Sequence, residues 1–134
     1  MQEDKHIHGD REVSLSGQII TARFIGLFNE HGVRRITDEI KACVEQLQGS
    51  SFAILIDDLK LEGGTPEAYA VLEEYNQWLN TKNLVAKAML IKSASHKAII
   101  NKLSPSRAMQ TIEYFTEEER AIDWLKQQLA INQS

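Results

Sequence analysis

The sequence predicts a single α/β domain spanning residues 1–134, built on a mixed, mostly parallel sheet of about five strands, with an N-terminal β-hairpin and about four helices. Three observations carry this. β-rich runs alternate with helical periodicities in the order β-β-α-β-α-β-α-β-α, the pattern of parallel strands joined by right-handed crossovers. Phe52-Ala-Ile-Leu-Ile56 is apolar without alternation, as an internal strand covered on both faces must be. A length of 134 residues with only two prolines, at 66 and 105, leaves room for one core and marks no linker.

Each element follows from local chemistry. Val13 and Leu15 alternate with polar neighbours. Ser16-Gly17-Gln18 is a turn signal, and Ile19, Ile20, Ala22, Phe24 and Ile25 form a second β-rich run, so the pair reads as an antiparallel hairpin. Asn29 suits an N-cap. Beyond it Val33, Ile36, Ile40, Val44 and Leu47 recur every three or four residues, an amphipathic helix that Gly49 closes. After the strand at Phe52–Ile56, Asp57 to Gly64 read as an acidic loop ending in a glycine pair. Thr65 caps the next helix, with Pro66 at its first position. Ala68, Leu72, Tyr75 and Leu79 share one face of that helix, with Val71 and Trp78 beside them. Ala86 to Ile91 is a strand, 93–103 a helix ended by Ser104-Pro105-Ser106, and Gln110 to Phe115 a short strand. Thr116-Glu-Glu-Glu119 reads as a capping box opening a final helix that buries Ala121, Ile122, Leu125 and Leu129.

Composition narrows the function classes. The net charge is −4, from 15 Lys+Arg against 19 Asp+Glu, and the basic residues are scattered. That disfavours nucleic acid, whose binders present a basic patch to the phosphates. No run approaches the roughly 18 apolar residues of a membrane span. Residues 1–6 are charged and lack an apolar core, so no secretory signal is expected. The single cysteine, Cys43, excludes an intramolecular disulfide and suits a reducing, cytoplasmic setting. It falls beside the inward stripe of the first helix and reads as a small core hydrophobe.

The residues also resemble a family. Three ordered segments carry the likeness: Gly26-Leu-Phe-Asn-Glu-His-Gly-Val33 before the first helix; Ala53-Ile-Leu-Ile-Asp57 followed by Glu62-Gly-Gly-Thr-Pro-Glu67; and Tyr114-Phe-Thr-Glu-Glu-Glu-Arg-Ala-Ile-Asp-Trp-Leu125. Together they resemble the SpoIIAA-like proteins, relatives of the STAS domains of anti-sigma-factor antagonists and of the CRAL-TRIO lipid-transfer fold. The resemblance implies a regulatory or protein-interaction module rather than an enzyme. In anti-sigma antagonists a serine at the start of the helix after the central strand is phosphorylated and switches partner binding. Its positional counterpart here is Thr65, where Gly63-Gly64-Thr65-Pro66 stands in place of an Asp-Ser-Ser-Gly type of motif.

Candidate sites cluster at the carboxyl end of the predicted sheet, where ligands of open α/β sheets bind. Asp57 and Asp58 could offer oxygens to Mg²⁺. The plainer reading is one carboxylate that shapes the loop and one that is solvated. Thr65 is a cap first and a candidate phospho-switch second. Ser93 and Ser95, past the fourth strand, share that end. His6 and His8 would project to one side of an extended segment, but two ligands are too few for zinc. Trp78 and Trp124 lie at the borders of apolar faces, suited to packing and secondarily to an interface or an apolar pocket. No nucleophile elbow, dinucleotide fingerprint or phosphate-loop lysine is present. The expectation is no catalytic set, no metal and no cofactor. The expected partner is a protein or a second copy of the chain, and the alternative is a small apolar molecule or lipid.

Overall fold

The computed structural model describes residues 6–93 and 105–133. Five strands form one sheet: β1 (Asp10–Ser16), β2 (Ile19–Phe28), β3 (Phe52–Gly64), β4 (Leu84–Leu90) and β5 (Ile112–Phe115). They lie in the order β1-β2-β3-β4-β5. β1 is antiparallel to β2 and the remaining pairs are parallel, which is the mixed sheet with an N-terminal hairpin expected from the sequence. The hairpin turns in two residues, Gly17 and Gln18, because Ser16 pairs with Ile19. Gly17 sits at φ +59°, the left-handed region such a tight turn needs.

Three α-helices complete the described fold: α1 (Glu30–Gln46), α2 (Pro66–Leu79) and α3 (Glu118–Asn132), with a 3-10 turn at Pro105–Met109. The helix expected over 93–103 lies, apart from Ser93, outside the described residues. No described helix is long and apolar enough to cross a membrane. α1 and α2 cover one face of the sheet, packing Val33, Ile36, Ile40, Ala68, Val71, Tyr75 and Leu79 against Ile20, Phe24, Ile54, Ile56 and Met89. α3 covers the other, packing Ala121, Leu125 and Leu129 against Ala53, Leu55, Ala86, Ala88 and Leu90. The two clusters explain why β3 begins with five fully buried residues. Cys43 and Trp78 pack as partly buried flanks of the first cluster, and Trp124 flanks the second.

Asn29 caps α1 as expected, accepting from the Gly32 amide at 2.9 Å. Its side chain also accepts from His8 N and donates to the His6 carbonyl, fastening the N-terminal segment across the helix start. His6 and His8 therefore belong to a segment tethered across the start of α1.

Two expectations are corrected. Asp57 to Gly64 is not a loop: β3 runs thirteen residues, to Gly64. β2 is long enough to keep pairing with it, through Phe28 and Gly64, after β4 has ended at Leu90. With β4 gone, one neighbour and one layer suffice, and Leu59, Lys60, Leu61 and Glu62 alternate between half-buried and exposed. The capping box at Thr116 does not form. α3 starts later, with Glu117 at the cap position and no side-chain cap bond. Glu117 instead pairs with Arg120, and Glu118 is drawn to Arg23 across the sheet.

Candidate functional site

Extension of β3 decides the fate of the acidic pair. Successive strand residues point to opposite faces, so Asp57 turns toward α3 and Asp58 toward α2. The two carboxylates do not converge. Asp57 Oδ2 accepts from Arg23 Nη1 at 2.7 Å and its Oδ1 accepts from the Leu59 amide at 2.9 Å. The same guanidinium makes a two-pronged bond to Glu118, at 2.7 and 3.1 Å. Asp57 thus has both oxygens engaged, within a strand rather than in the loop the sequence anticipated. No group of three metal-ligating side chains occurs among the described residues.

Asp58 corrects the other half of that expectation. It is not solvated but 3% exposed, beneath α2. It lines a chamber of about 50 Å³ with Phe24, Ile56, Leu61, Tyr69 and Leu72, joined by Tyr75, Asn76, Lys87, Met89 and Arg107. Lys87 enters from the middle of β4 and donates to Asn76 Oδ1 at 2.8 Å. Arg107 enters from the 3-10 turn. That turn is held on α2 by Ser106, whose amide donates to Glu73 Oε1 at 3.0 Å and whose carbonyl accepts from Asn80 Nδ2 at 2.9 Å. Its hydroxyl also donates to Glu73. Gln110 adds bonds to the side-chain oxygens of Asn76 and Asn80.

The buried charges perturb one another. Loss of solvent pushes the Asp58 carboxyl up to about 7. Neighbouring Asp57 adds to the rise, and Arg107 and Lys87 pull against it. Burial drives the Lys87 ammonium well below its ordinary range, assisted by repulsion from Arg107 and opposed by Asp58. Burial also lowers Arg107, which Tyr114, Asp58 and Tyr75 partly restore. The Tyr75 hydroxyl is pushed up by burial and stays protonated.

Of the remaining sequence candidates, the two described, Thr65 and Ser93, lie on the surface. Thr65 is exposed at the N-cap of α2 and accepts from the Ala68 amide at 3.1 Å. Ser93 is exposed three residues past β4. The parallel register brings both to the carboxyl end of the sheet, as expected. Ser95 is outside the described residues. Thr65 and Asp58 are separated by the overhanging half of β3, so one sits on the rim and the other beneath the helix.

Sequence reasoning missed Asn76, Lys87 and Arg107. Two of them carried a signal. Lys87 interrupts an apolar strand whose partners are buried on both faces, and Asn76 falls on the inward stripe between Leu72 and Leu79. Arg107 carried none, since only the docking of the 3-10 turn on α2 brings it in.

No family model matches the sequence, and no curated protein matches it. Solved structures do. An uncharacterized protein of the DUF3478 family with a SpoIIAA-like fold, from Shewanella loihica, superposes with a TM-score of 0.66 over 89% of this chain and 94% of its own, at 14% identity. The chain has a SpoIIAA-like fold. The anti-sigma factor antagonist SpoIIAA in its unphosphorylated form matches with a TM-score of 0.59 over 89% of this chain and 98% of that one, at 15% identity. The Bacillus cell fate determinant SpoIIAA in its phosphorylated form matches at 0.58, over 86% and 98%, at 17% identity. The chamber under α2 is small for the lipid reading: about 50 Å³ is a few water molecules, against roughly 300 Å³ and upward for drug-sized ligands.

Proposed function

We propose that the chain is a non-catalytic regulatory module that contacts a protein partner through the carboxyl end of its sheet, at the start of α2. The observation that supports this most is the match to SpoIIAA, described as an anti-sigma factor antagonist, over 98% of that chain. Two features of the rim are consistent with it. Thr65 is exposed at a helix N-terminus, where a phosphoryl group gains from the free amides and the helix dipole. Asp57, on the opposite face of β3, has both oxygens committed to Arg23 and the Leu59 amide. It is a framework residue rather than a base or a metal ligand.

On this reading Thr65 is the residue whose modification would switch the contact. The experiment compares tagged wild-type chain with Thr65→Asp and Ser93→Glu variants as baits in lysate of the source cells, with intact-mass and peptide mapping of Thr65. The expected result is a protein retained by wild type and lost with the rim variants. Equal retention by all three baits, or no specific protein at all, refutes the proposal. Absence of phosphate on Thr65 under every growth condition leaves it a cap only.

A further inference from the structure

β1 ends the sheet with a free edge, since β2 is its only neighbour among the described strands. The Gln18 carbonyl accepts from the Ala53 amide of β3 at 2.9 Å. Backbone groups alternate between the two sides of a strand, so the odd-numbered residues of β2, from Ile19 to Ile25, turn theirs toward β1. Their mates are Ser16, Ser14, Glu12 and Asp10. The backbone groups of Arg11, Val13 and Leu15 therefore face outward. The Arg11 amide takes the Asp10 carboxylate, at 2.8 Å, in place of a neighbouring strand. β1 carries no proline, lysine or bulge, devices that blunt many sheet edges.

α1 borders the same edge. Arg35 donates to the Gly9 carbonyl at 2.7 Å, and Arg11 makes a two-pronged bond to Glu39, at 2.7 and 3.1 Å. Strand and helix thus advance together, and one turn beyond Glu39 sets Cys43 alongside Val13. Val13, Leu15, Cys43 and Leu47 are all only partly buried against the core. Ala42 and Gln46 are exposed on the same flank of α1. The seam between strand and helix is half covered, and its charges, Arg11 and Glu39, already hold each other.

We propose that β1 is a dimer edge, to which a second copy of the chain adds its own β1 antiparallel, with the twofold axis at Val13. The strand is self-complementary in this register. Val13 faces the partner's Val13, and Arg11 faces the partner's Leu15. Every outward backbone group of the three residues then finds a mate, the Arg11 amide exchanging Asp10 for a carbonyl. On the other face Asp10 stands opposite the partner's Ser16 and Glu12 opposite the partner's Ser14, so no like charges meet directly. Glu12 is also held by Arg23 of its own chain at 3.7 Å. α1 packs on Ile20 and Phe24 of β2 as well as on β1, which places its axis about half a strand spacing inside the edge. The two copies of α1 then run about 10 Å apart, a helix-packing distance. The small side chains of Ala42 and Cys43 lie where they meet. β1 is two strands from β3, so this edge is separate from partner binding at the start of α2.

The test is sedimentation equilibrium of the full chain over micromolar to submillimolar concentrations. The expected result is a reversible dimer with micromolar Kd, as suits one strand pair and one helix pair, at the small end of stable interfaces. Ser14 is exposed, and thermal melting checks that its variants stay folded. Ser14→Glu sets like charges opposite each other at two symmetric places and is expected to weaken the dimer about fivefold. Ser14→Lys meets the partner's Glu12 and is expected to tighten it about as much. An effect on folding alone does not give opposite signs. Val13→Pro deletes an outward amide while sparing the bonds to β2, and is expected to leave monomer; where it does not fold, the Ser14 pair decides. Monomer at every concentration, a folded Val13→Pro chain that still dimerises, or Kd values that do not rise from Ser14→Lys through wild type to Ser14→Glu overturn the proposal.

Discussion

Asp58→Asn exchanges an ionisable buried group for a neutral one of the same shape, and the structure fixes how stability should respond to pH. In the folded chain the Asp58 carboxyl is pushed up to about 7, chiefly by burial, from an ordinary value of 3.8. Below about pH 4 both folded and unfolded chains hold the proton, and the residue costs nothing. Between about pH 4 and pH 7 the unfolded chain releases the proton while the folded chain keeps it, so stability falls as pH rises. Above that window the full cost is present. A rise of about three pH units corresponds to about 4 kcal/mol at most. For 134 residues this is about 12 °C in Tm, at about 3 °C per kcal/mol. The assay is urea denaturation and thermal melting of wild type and Asp58→Asn at half-unit steps from about pH 4 to pH 8. The wild-type curve should fall relative to the variant across that window. Lys87, whose lowered range acts in the opposite sense, is present in both proteins and largely cancels in the difference. Curves that stay parallel within about 0.5 kcal/mol refute the reasoning. They would mean that water or a neighbouring cation solvates Asp58 as well in the folded chain as in the unfolded one.

Arg23→Ala removes the guanidinium shared by Asp57 and Glu118 and should cost about 2 kcal/mol in urea denaturation. Arg23→Lys should recover less than half, because a single ammonium cannot span both carboxylates; full recovery would count against the shared fork. Gly32→Ala puts a methyl group 1.9 Å from the His8 carbonyl oxygen, a contact no rotamer relieves. Limited proteolysis should then show residues 6–9 released from α1 while the sheet remains protected, and an unchanged cleavage pattern would contradict the close approach. Thr65→Ala should destabilise by about 1 kcal/mol, and Thr65→Ser by far less. Equal losses would show that the Ala68 amide bond is not what Thr65 contributes.

The regular elements were legible because their signals are local. Thr65-Pro66 and Asn29 mark helix starts through side chains that reach amides three residues on. Two-sided burial of Phe52 to Ile56 follows from an unbroken apolar run. Where α3 begins was not legible. The Thr116 box is a strong local pattern, yet Glu117 takes the cap position without a side-chain bond, and Glu118 in the first turn bonds Arg23, 95 residues away in sequence. Likewise Leu59-Lys-Leu-Glu62 alternates as a strand should, but the flanking acids and glycines resembled a loop. The length of β2 overrides that resemblance.

The sequence by itself determined the order of the described elements, the mixed sheet and the carboxyl-end placement of Thr65 and Ser93, because each depends on periodicity and on capping chemistry within a few residues. Only the tertiary structure decided what Asp57 and Asp58 do. Adjacent in the chain, they are parted by the pleat of a strand. One is locked to Arg23 and Glu118 on the α3 face, and the other is sealed with Lys87, Arg107 and Tyr75 beneath α2. A cluster drawn from β3, α2, β4 and a 3-10 turn has no footprint in sequence spacing. Its members meet only when those elements pack.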